Sequence, residues 1–238
     1  MKPHFYAIVI LLALLCRPCL AQQPLLTPAD MPNAVRFLPP PPDPASARFA
    51  YDEAQYRWGQ RQRLDSARAA IARRDAVWSV ETICREFSQP FGLAISDSTT
   101  PAIYRMLLVG LITTDQAGKI AKDHFMRQRP YVFYGEPTLL PGDEEALRDN
   151  GSYPSGHTIL GWSAALLLCE LNPQRADTLL ARGYMFGQSR VVAGFHWQSD
   201  VDAARLVASA AVARLHADPR FAKLMKKARR EFRRLSSR

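Results

Sequence analysis

The sequence has few cysteines, few strand-like segments and no apolar run of the length that a membrane crossing needs. Only four of its 238 residues are cysteine, which excludes a small disulfide-stabilised scaffold. Segments with the alternation of a β-strand are short, as at 131–134, so a β-sheet protein is not indicated. Beyond the amino terminus the most apolar stretches, 159–169 and 201–215, are short or interrupted by charge, whereas a spanning helix needs about 20 apolar residues. A protein with several membrane-spanning helices is therefore excluded.

The amino terminus has the layout of a signal peptide. Lys2 precedes an apolar run of ten residues at 6–15, and Ala21 offers a small residue for cleavage before two glutamines. We therefore predict that residues 1–21 are removed on export and that the mature protein is periplasmic. A lipoprotein is less well supported, because bulky residues precede both cysteines of this segment.

Cleavage after Ala21 would leave two cysteines, Cys84 and Cys169. In an oxidising compartment such a pair is a disulfide candidate. The bridge would close a loop of 85 positions, for which chain entropy predicts a stabilisation of about 4 to 5 kcal/mol. The sequence does not show that the two residues are adjacent, so two free thiols remain the alternative.

Proline separates a lead-in segment, 22–44, from a region with helical patterning, 45–238. Four consecutive prolines at 39–42 favour extended polyproline structure, and we expect no chemistry there. Further on, apolar residues recur at steps of three and four, and Asp43, Thr100 and Asp218 each precede a proline as helix caps would. The sequence predicts an all-α fold, a single compact helical-bundle domain.

The positive charge of the chain is concentrated at its carboxyl end. The formal net charge is +9, and nine of the 31 lysines and arginines lie in 219–238, where Glu231 is the only acid. Nucleic-acid binding is not indicated, because the excess charge is confined to this one segment. Apolar residues recur there at helical spacing, which predicts an amphipathic helix with a solvated basic face. Contact with an anionic surface is the alternative.

The first of three unusual clusters is Lys122 followed, after six residues, by Arg129 and Pro130. If 114–128 is helical, the two cations lie about two turns, roughly 10 Å, apart on one face. Both side chains could then reach one anion, and Pro130 would end the helix. Taken alone, two solvated cations on a helix are the simpler interpretation.

The second cluster is the segment Gly-Ser-Tyr-Pro-Ser-Gly-His-Thr at 151–158, which leads into an apolar helix. Backbone N–H groups of Ser155, Gly156 and His157 would lie at the helix amino terminus, where phosphate and other oxyanions bind. The Ser155 hydroxyl adds a donor, and His157 would be positioned to give a proton to a bound phosphate ester. An ordinary helix cap with an incidental histidine is the alternative.

The third cluster contains Ser189-Arg190, then His196 after five residues and Asp200 after three more. At a spacing of four, Asp200 can accept a hydrogen bond from one ring nitrogen of His196, which leaves the other nitrogen free to act as a nucleophile. Arg190 offers a planar charged group suited to phosphate oxygens. A surface His–Asp pair is the alternative.

The three clusters, K-x6-RP, PSGH and SR-x5-H-x3-D, occur complete and in order, and this combination resembles the signature of the phosphatidic-acid-phosphatase-type superfamily. Within that superfamily the chain, from Phe37 to the carboxyl-terminal helix, resembles the exported bacterial class A nonspecific acid phosphatases. The resemblance implies the acid phosphatase/vanadium haloperoxidase fold and broad hydrolysis of small-molecule phosphate monoesters with no cofactor and no metal. It also implies that His196 becomes a phosphohistidine, that Asp200 orients it, and that His157 protonates the leaving oxygen and later activates water. Phosphoryl oxygens would be held by Lys122, Arg129, Ser155, Gly156 and Arg190.

Three other functions share some of these features. A membrane lipid phosphatase has the same clusters but needs several spanning helices, and a vanadate-dependent haloperoxidase is usually a longer chain. An exported, non-catalytic binder of phosphate or anionic polymers would explain the cations but gives the His196–Asp200 pair no role. The sequence leaves open the physiological ester, the cleavage of nucleoside di- and triphosphates, and whether the protein is a monomer or a homo-oligomer.

Overall fold

Prolines and short polar caps divide the chain into helices of very different length. The computed structural model describes residues 23–237, and within that range there are helices and turns but no β-strand. The α-helices are α1 (Ala34–Phe37), α2 (Ala47–Gln62), α3 (Ser66–Asp75), α4 (Val80–Phe91), α5 (Pro101–Thr114), α6 (Lys119–Phe125), α7 (Pro130–Tyr134), α8 (Glu144–Leu147), α9 (Gly156–Leu171), α10 (Ala176–Ala193), α11 (Gln198–His216) and α12 (Pro219–Ser236). Short 3₁₀ turns lie at Pro28–Asp30, Asp115–Gly118, Pro141–Asp143 and Pro173–Arg175. The all-α prediction is confirmed.

Helix α9 is the centre of the fold. It packs against α10, α11 and α5, and its side chains are buried on nearly every face, as expected for a helix that is apolar all round. Leu167 and Leu168 are completely buried in the core that α9 shares with α4, α5 and α10. None of the helices within 23–237 combines the length and low polarity that a bilayer crossing requires.

The basic carboxyl-terminal segment forms the amphipathic helix α12. Its apolar face packs on α5, and every lysine and arginine from Arg220 to Arg234 is exposed. Asp218 caps this helix, as predicted, by accepting a hydrogen bond from the N–H of Arg220.

The start of α5 differs from its prediction, because the Thr100 hydroxyl does not cap this helix. Instead the Glu231 carboxylate of α12 accepts hydrogen bonds from the first N–H groups of α5, those of Ala102 and Ile103, each at 2.9 Å.

The lead-in segment lies against the helical body. Leu26, Met31 and Leu38 are buried in a second core cluster, and the Tyr153 hydroxyl donates a hydrogen bond to the carbonyl oxygen of Pro39 at 2.8 Å. The cap predicted at Asp43 is one turn early, because α2 begins at Ala47 with Ser46 as its cap. The predicted signal peptide lies outside the described residues, and the division of the chain at 21 and 44 remains a prediction.

The segment that carries the first motif departs most from its prediction. We expected one helix over 114–128, but α6 ends at Phe125, where Met126 adopts a left-handed conformation with φ 39°. The loop before α9 packs closely on this end: a Cβ on Gly151 would lie 2.6 Å from the Lys122 carbonyl oxygen and 3.1 Å from the Cα of Met126. Lys122 and Arg129 therefore do not share a helix face. Pro130 begins α7 rather than ending a helix, because its missing N–H has no cost at the first helical position.

Cys84 and Cys169 are separate thiols in the structure, which gives no support to the predicted Cys84–Cys169 disulfide. Cys84 is buried in the core, and the Sγ of Cys169 lies 3.6 Å from the Ala176 carbonyl oxygen. Burial raises the pKa of the Cys84 thiol to about 12 and that of Cys169 to about 11. Both sulfurs are therefore held as neutral thiols, which are poor nucleophiles for disulfide exchange.

Candidate active site

The three sequence motifs meet at one cavity of about 380 Å³, the catalytic cavity. Helix α6, the loop before α7, the start of α9, helix α10 and the α10–α11 connection each contribute side chains to it. Ser155 and Asp200 are completely buried and do not line the cavity themselves. The predicted site residues that line the cavity are Lys122, Arg129, Gly156, His157, Arg190 and His196.

The short connection between α10 and α11 sets the position of His196. Gly194 ends α10 with φ 87°, a left-handed conformation that glycine adopts without strain, and the chain then reverses into α11. Arg190 lies in the last turn of α10 and Asp200 in the first turn of α11. The reversal therefore brings the cation, the histidine and the carboxylate of the third motif to the same end of two packed helices.

The hydrogen bonds of His196 define its tautomer. Its Nδ1 lies 3.2 Å from Oδ2 of Asp200, and its Nε2 lies 3.2 Å from Nη1 of Arg129. A guanidinium group has no acceptor, so Nε2 must be the unprotonated nitrogen and Nδ1 must carry the hydrogen. Burial, followed by the charges of Arg129 and Lys122, holds the pKa of His196 well below its usual value. A neutral imidazole with a lone pair on Nε2 thus lines the cavity.

His157, in the first turn of α9, is held in place through the Nε2 atom of its ring. Its Nε2 lies 2.9 Å from the Ala76 carbonyl oxygen, which can only accept, so Nε2 carries a hydrogen and Nδ1 is the remaining site for a proton. Burial and then the charge of Arg190 hold the pKa of His157 well below its usual value. A negative charge bound in the cavity would oppose both effects and favour the imidazolium form.

Lys122 and Arg129 reach the cavity from either side of the left-handed turn at Met126. The Nζ of Lys122 donates a hydrogen bond to the Gly151 carbonyl oxygen at 2.7 Å. The Nε of Arg129 donates to the carbonyl oxygens of Leu147 and Asn150 at 2.9 and 3.0 Å. Burial, followed by the nearby Arg129 charge, lowers the pKa of Lys122 to about 7. The carboxylates of Asp200 and Asp115 oppose this shift but do not outweigh it, so the ammonium group lies in surroundings with too little negative charge.

The guanidinium group of Arg190 also lies in surroundings with too little negative charge, and two of its nitrogens have no hydrogen-bond partner in the described part of the chain. Its side chain is buried, and neither Nε nor Nη1 has a hydrogen-bond partner among residues 23–237. Burial and the charge of Arg129 lower the pKa of Arg190 to about 9. Buried guanidinium donors without partners are costly, and an oxyanion in the cavity would satisfy both their hydrogen bonds and their charge.

The loop of the second motif supplies fewer free backbone donors than expected. The N–H of Ser155 donates to the carbonyl oxygen of Asp200 at 3.0 Å, so the prediction that it faces an anion is wrong. The Ser155 Oγ accepts a hydrogen bond from the Thr158 hydroxyl at 2.9 Å and caps α9. The N–H groups of Gly156 and His157 remain as the first two donors of α9, at the wall of the cavity.

Behind His196 lies a charged network that the sequence analysis did not identify. Arg127 donates from Nη1 to Oδ1 of Asp200 at 2.6 Å and from Nη2 to Oδ2 of Asp52 at 2.7 Å. Asp52 also accepts hydrogen bonds from the N–H and hydroxyl of Ser199. Burial disfavours the charge of Arg127, but the two carboxylates outweigh it and raise its pKa. Asp52 lies on α2, far along the chain, and no local pattern indicates its role.

Two further cavity residues, Asp115 and Trp78, were also not identified from the sequence. Asp115 follows α5 in the 3₁₀ turn, and burial raises the pKa of its carboxyl group although Lys119 lies 3.9 Å away. Trp78 lies in the α3–α4 connection with its ring edge-on to that of His157 at a centroid distance of 4.6 Å. Across residues 23–237, no three His, Cys, Asp or Glu side chains gather closely enough to hold a metal ion.

Comparison with known proteins identifies the family of the chain. Residues 102–222, which contain all three motifs, match the model of the PAP2 superfamily. The chain is 46% identical over 205 residues to a non-specific acid phosphatase of Providencia stuartii, covering 85% of this chain and 82% of that protein. It is 44% identical over 211 residues to a non-specific acid phosphatase of Salmonella typhimurium, covering 88% of this chain and 84% of that protein. It is 38% identical over 196 residues to an acid phosphatase of Zymomonas mobilis, covering 82% of this chain and 74% of that protein. The chain therefore belongs to the PAP2 superfamily, in the branch that contains these acid phosphatases.

Proposed function

We propose that the protein is an acid phosphatase that hydrolyses a broad range of phosphate monoesters through a phosphohistidine at His196, without a metal ion. Family membership and the names of relatives at 38–46% identity support the acid phosphatase activity. The observation that carries the mechanism is the state of His196: Nδ1 is held by Asp200, and the lone pair on Nε2, which accepts from Arg129, lies at the wall of a cavity lined by cations.

Substrate binding places the phosphoryl group among Lys122, Arg129 and Arg190. The unpaired Nε and Nη1 of Arg190 bind its oxygens, together with the N–H groups of Gly156 and His157. Three cations against a dianion stabilise the charge that spreads over the equatorial oxygens in the transition state. The bound charge also favours protonation of His157 at Nδ1.

In the first step, Nε2 of His196 attacks phosphorus. The P–N bond forms as the P–O bond to the alcohol breaks, and His157 gives its proton to the leaving oxygen. Asp200 stabilises the positive charge that develops on the imidazole, in the manner of the aspartate of a catalytic triad. In the second step, the neutral His157 takes a proton from water, the water oxygen attacks phosphorus, and the P–N bond breaks to release inorganic phosphate.

Turnover of p-nitrophenyl phosphate in excess EDTA tests this proposal. We expect full activity in the chelator with an optimum in the acidic range, because His157 must be protonated while Nε2 of His196 must be free. Activity that EDTA abolishes and added divalent metal restores would contradict the metal-free mechanism. Binding of phosphate without turnover would indicate the non-catalytic alternative.

We also propose that the protein is exported to the periplasm. This proposal rests on the order of charge, apolar run and small residue in 1–21, which precede the described residues. Intact mass analysis of the protein recovered from a periplasmic extract should identify Gln22 as its first residue. Recovery from the cytoplasm with residues 1–21 still attached would contradict export.

A further inference from the structure

A second cavity adjoins the catalytic cavity and shares two of its wall residues, Trp78 and Asp115. Its volume is about 340 Å³. Apart from the two shared residues, its walls are mainly aliphatic, with one hydroxyl and one amide. These other lining residues are Pro24, Ser79, Val80, Ile112, Gln116 and Leu160.

Trp78 lies at the boundary between the two cavities. Trp78 is 53% exposed, an unusual state for the largest apolar side chain, although its ring packs against the half-buried His157. The Trp78 ring meets the His157 ring edge-on, and Gly156 brings the start of α9 so near that a Cβ there would lie 3.2 Å from the indole. In the proposed mechanism His157 protonates the leaving oxygen. The alcohol attached to that oxygen must therefore project close to Trp78.

The Asp115 carboxylate, at the same boundary, restricts the charge that a ligand can carry there. Its carboxylate lines both cavities, and the nearest cations are Lys119 and Lys122 on α6. No hydrogen-bond donor occupies its oxygens in the part of the chain that the structure describes, apart from the Lys119 contact at 3.9 Å. It can accept a hydrogen bond from a hydroxyl or amino group of a ligand, and it repels a second anionic group there.

We propose that this second cavity, the leaving-group subsite, binds an uncharged planar aromatic ring attached to the esterified alcohol. The ring lies against the exposed indole of Trp78, among the aliphatic walls, and Asp115 excludes leaving groups that carry a second negative charge. This inference rests on the proposed function in placing the phosphoryl group in the catalytic cavity and the leaving oxygen beside His157.

Two phosphonates that the enzyme cannot hydrolyse test the subsite independently of turnover. Benzylphosphonate and cyclohexylmethylphosphonate share their carbon skeleton and charge, so calorimetric Kd values isolate the preference for an aromatic ring. The unaltered protein should bind benzylphosphonate more tightly, by about three- to tenfold for one aromatic contact. Trp78→Ala should reduce the ratio to about one, whereas Trp78→Phe should retain most of it.

The control is Tyr51→Ala, which removes an aromatic side chain that is 54% exposed on α2. It should leave the ratio unchanged. Equal affinities for the two phosphonates in the unaltered protein, or an unchanged ratio in Trp78→Ala, would overturn the subsite. Because only the ratio is compared, a general loss of binding in the variant does not imitate the expected result.

Asp115→Asn tests the charge requirement. The unaltered protein should bind 4-carboxybenzylphosphonate at least about threefold more weakly than benzylphosphonate, and the variant should reduce that difference, because the repulsion is removed. An unchanged difference would contradict the role of Asp115. Failure of the protein to hydrolyse benzyl phosphate, with the phosphonate preference intact, would contradict the proposed function and leave the subsite supported.

Discussion

The Nη1 of Arg127 lies 2.6 Å from Oδ1 of Asp200, while Oδ2 of the same carboxylate faces Nδ1 of His196 at 3.2 Å. Oδ2 also accepts the N–H of Trp197 at 2.9 Å, so both oxygens are engaged and the carboxylate cannot rotate freely. Arg127 is itself fixed on its other side by Asp52. The orientation of the candidate nucleophile, His196, thus depends on a buried chain of hydrogen bonds that runs from Asp52 through Arg127 to Asp200.

Replacing Asp200 by asparagine should lower kcat by about 10²- to 10⁴-fold. The amide can donate to Nδ1 of His196, which favours the tautomer with hydrogen on Nε2 and removes the attacking lone pair. Steady-state kinetics with p-nitrophenyl phosphate provides the measurement, and circular dichroism confirms folding. A kcat within threefold of the unaltered enzyme would show that Asp200 does not select the tautomer.

Arg127→Lys should lower kcat by about tenfold and leave KM almost unchanged. A lysine keeps the charge but cannot bridge Asp52 and Asp200 with two separate nitrogens, and Arg127 does not line the catalytic cavity. A lower kcat with an unchanged KM distinguishes this positioning role from a role in substrate binding. Arg57→Lys, at a half-buried ion pair with Glu136 outside the catalytic cavity, is the matched control and should change neither constant. An increase in KM with kcat unchanged would contradict the positioning role.

The lowered pKa of Lys122 predicts how anion binding depends on pH. Below about 7 its ammonium group is charged in the free enzyme, and as pH rises above that value the charge is lost unless an anion is bound. Sulfate, whose own charge is constant in this range, should therefore raise Tm more at pH 6 than at pH 8.5. Lys122→Arg should retain at pH 8.5 the sulfate effect that the unaltered protein loses, because an arginine there stays charged. Equal loss in both proteins would exclude Lys122 as the titrating group.

Removing the Glu231 carboxylate should destabilise the fold without affecting catalysis. In Glu231→Ala, the N–H groups of Ala102 and Ile103 lose their acceptor, which should lower the free energy of unfolding by about 1–2 kcal/mol. Urea denaturation measures this change, and kcat/KM should stay the same. Glu145→Ala, which removes a carboxylate that is 90% exposed, is the control and should have little effect. Equal stability of the two variants would refute the capping role.

The sequence predicted best those features that short local patterns determine. The spacing of four between His196 and Asp200 corresponds to a direct contact, and the apolar repeat of 219–238 corresponds to the buried face of α12. The repeat in α12 follows helical geometry, whereas the His196–Asp200 contact joins the connection before α11 to the first turn of that helix. Both are set within a few residues, which the order of residues specifies directly.

Features that depend on distant segments could not be predicted in this way. The end of α6 at Met126 lies where Gly151 packs against it, and the Ser155 N–H donates to a carbonyl oxygen of α11. Asp52 lies 75 positions from Arg127, with no periodic pattern to connect them. Whether Cys84 and Cys169 can form a disulfide likewise depends on the packing of α4 and α9, which cysteine count and compartment do not determine.

The most direct test of the proposed mechanism is to trap the phosphoenzyme. Rapid acid-free quenching of the enzyme with a labelled aryl phosphate, followed by peptide mass spectrometry, should locate phosphate on the Nε2 of His196 and find none in His196→Ala. His157→Asn should accumulate more of this intermediate, because an aryl group leaves with little protonation while water activation is lost. Labelled phosphate on His157, or any covalent label in His196→Ala, would contradict the central claim.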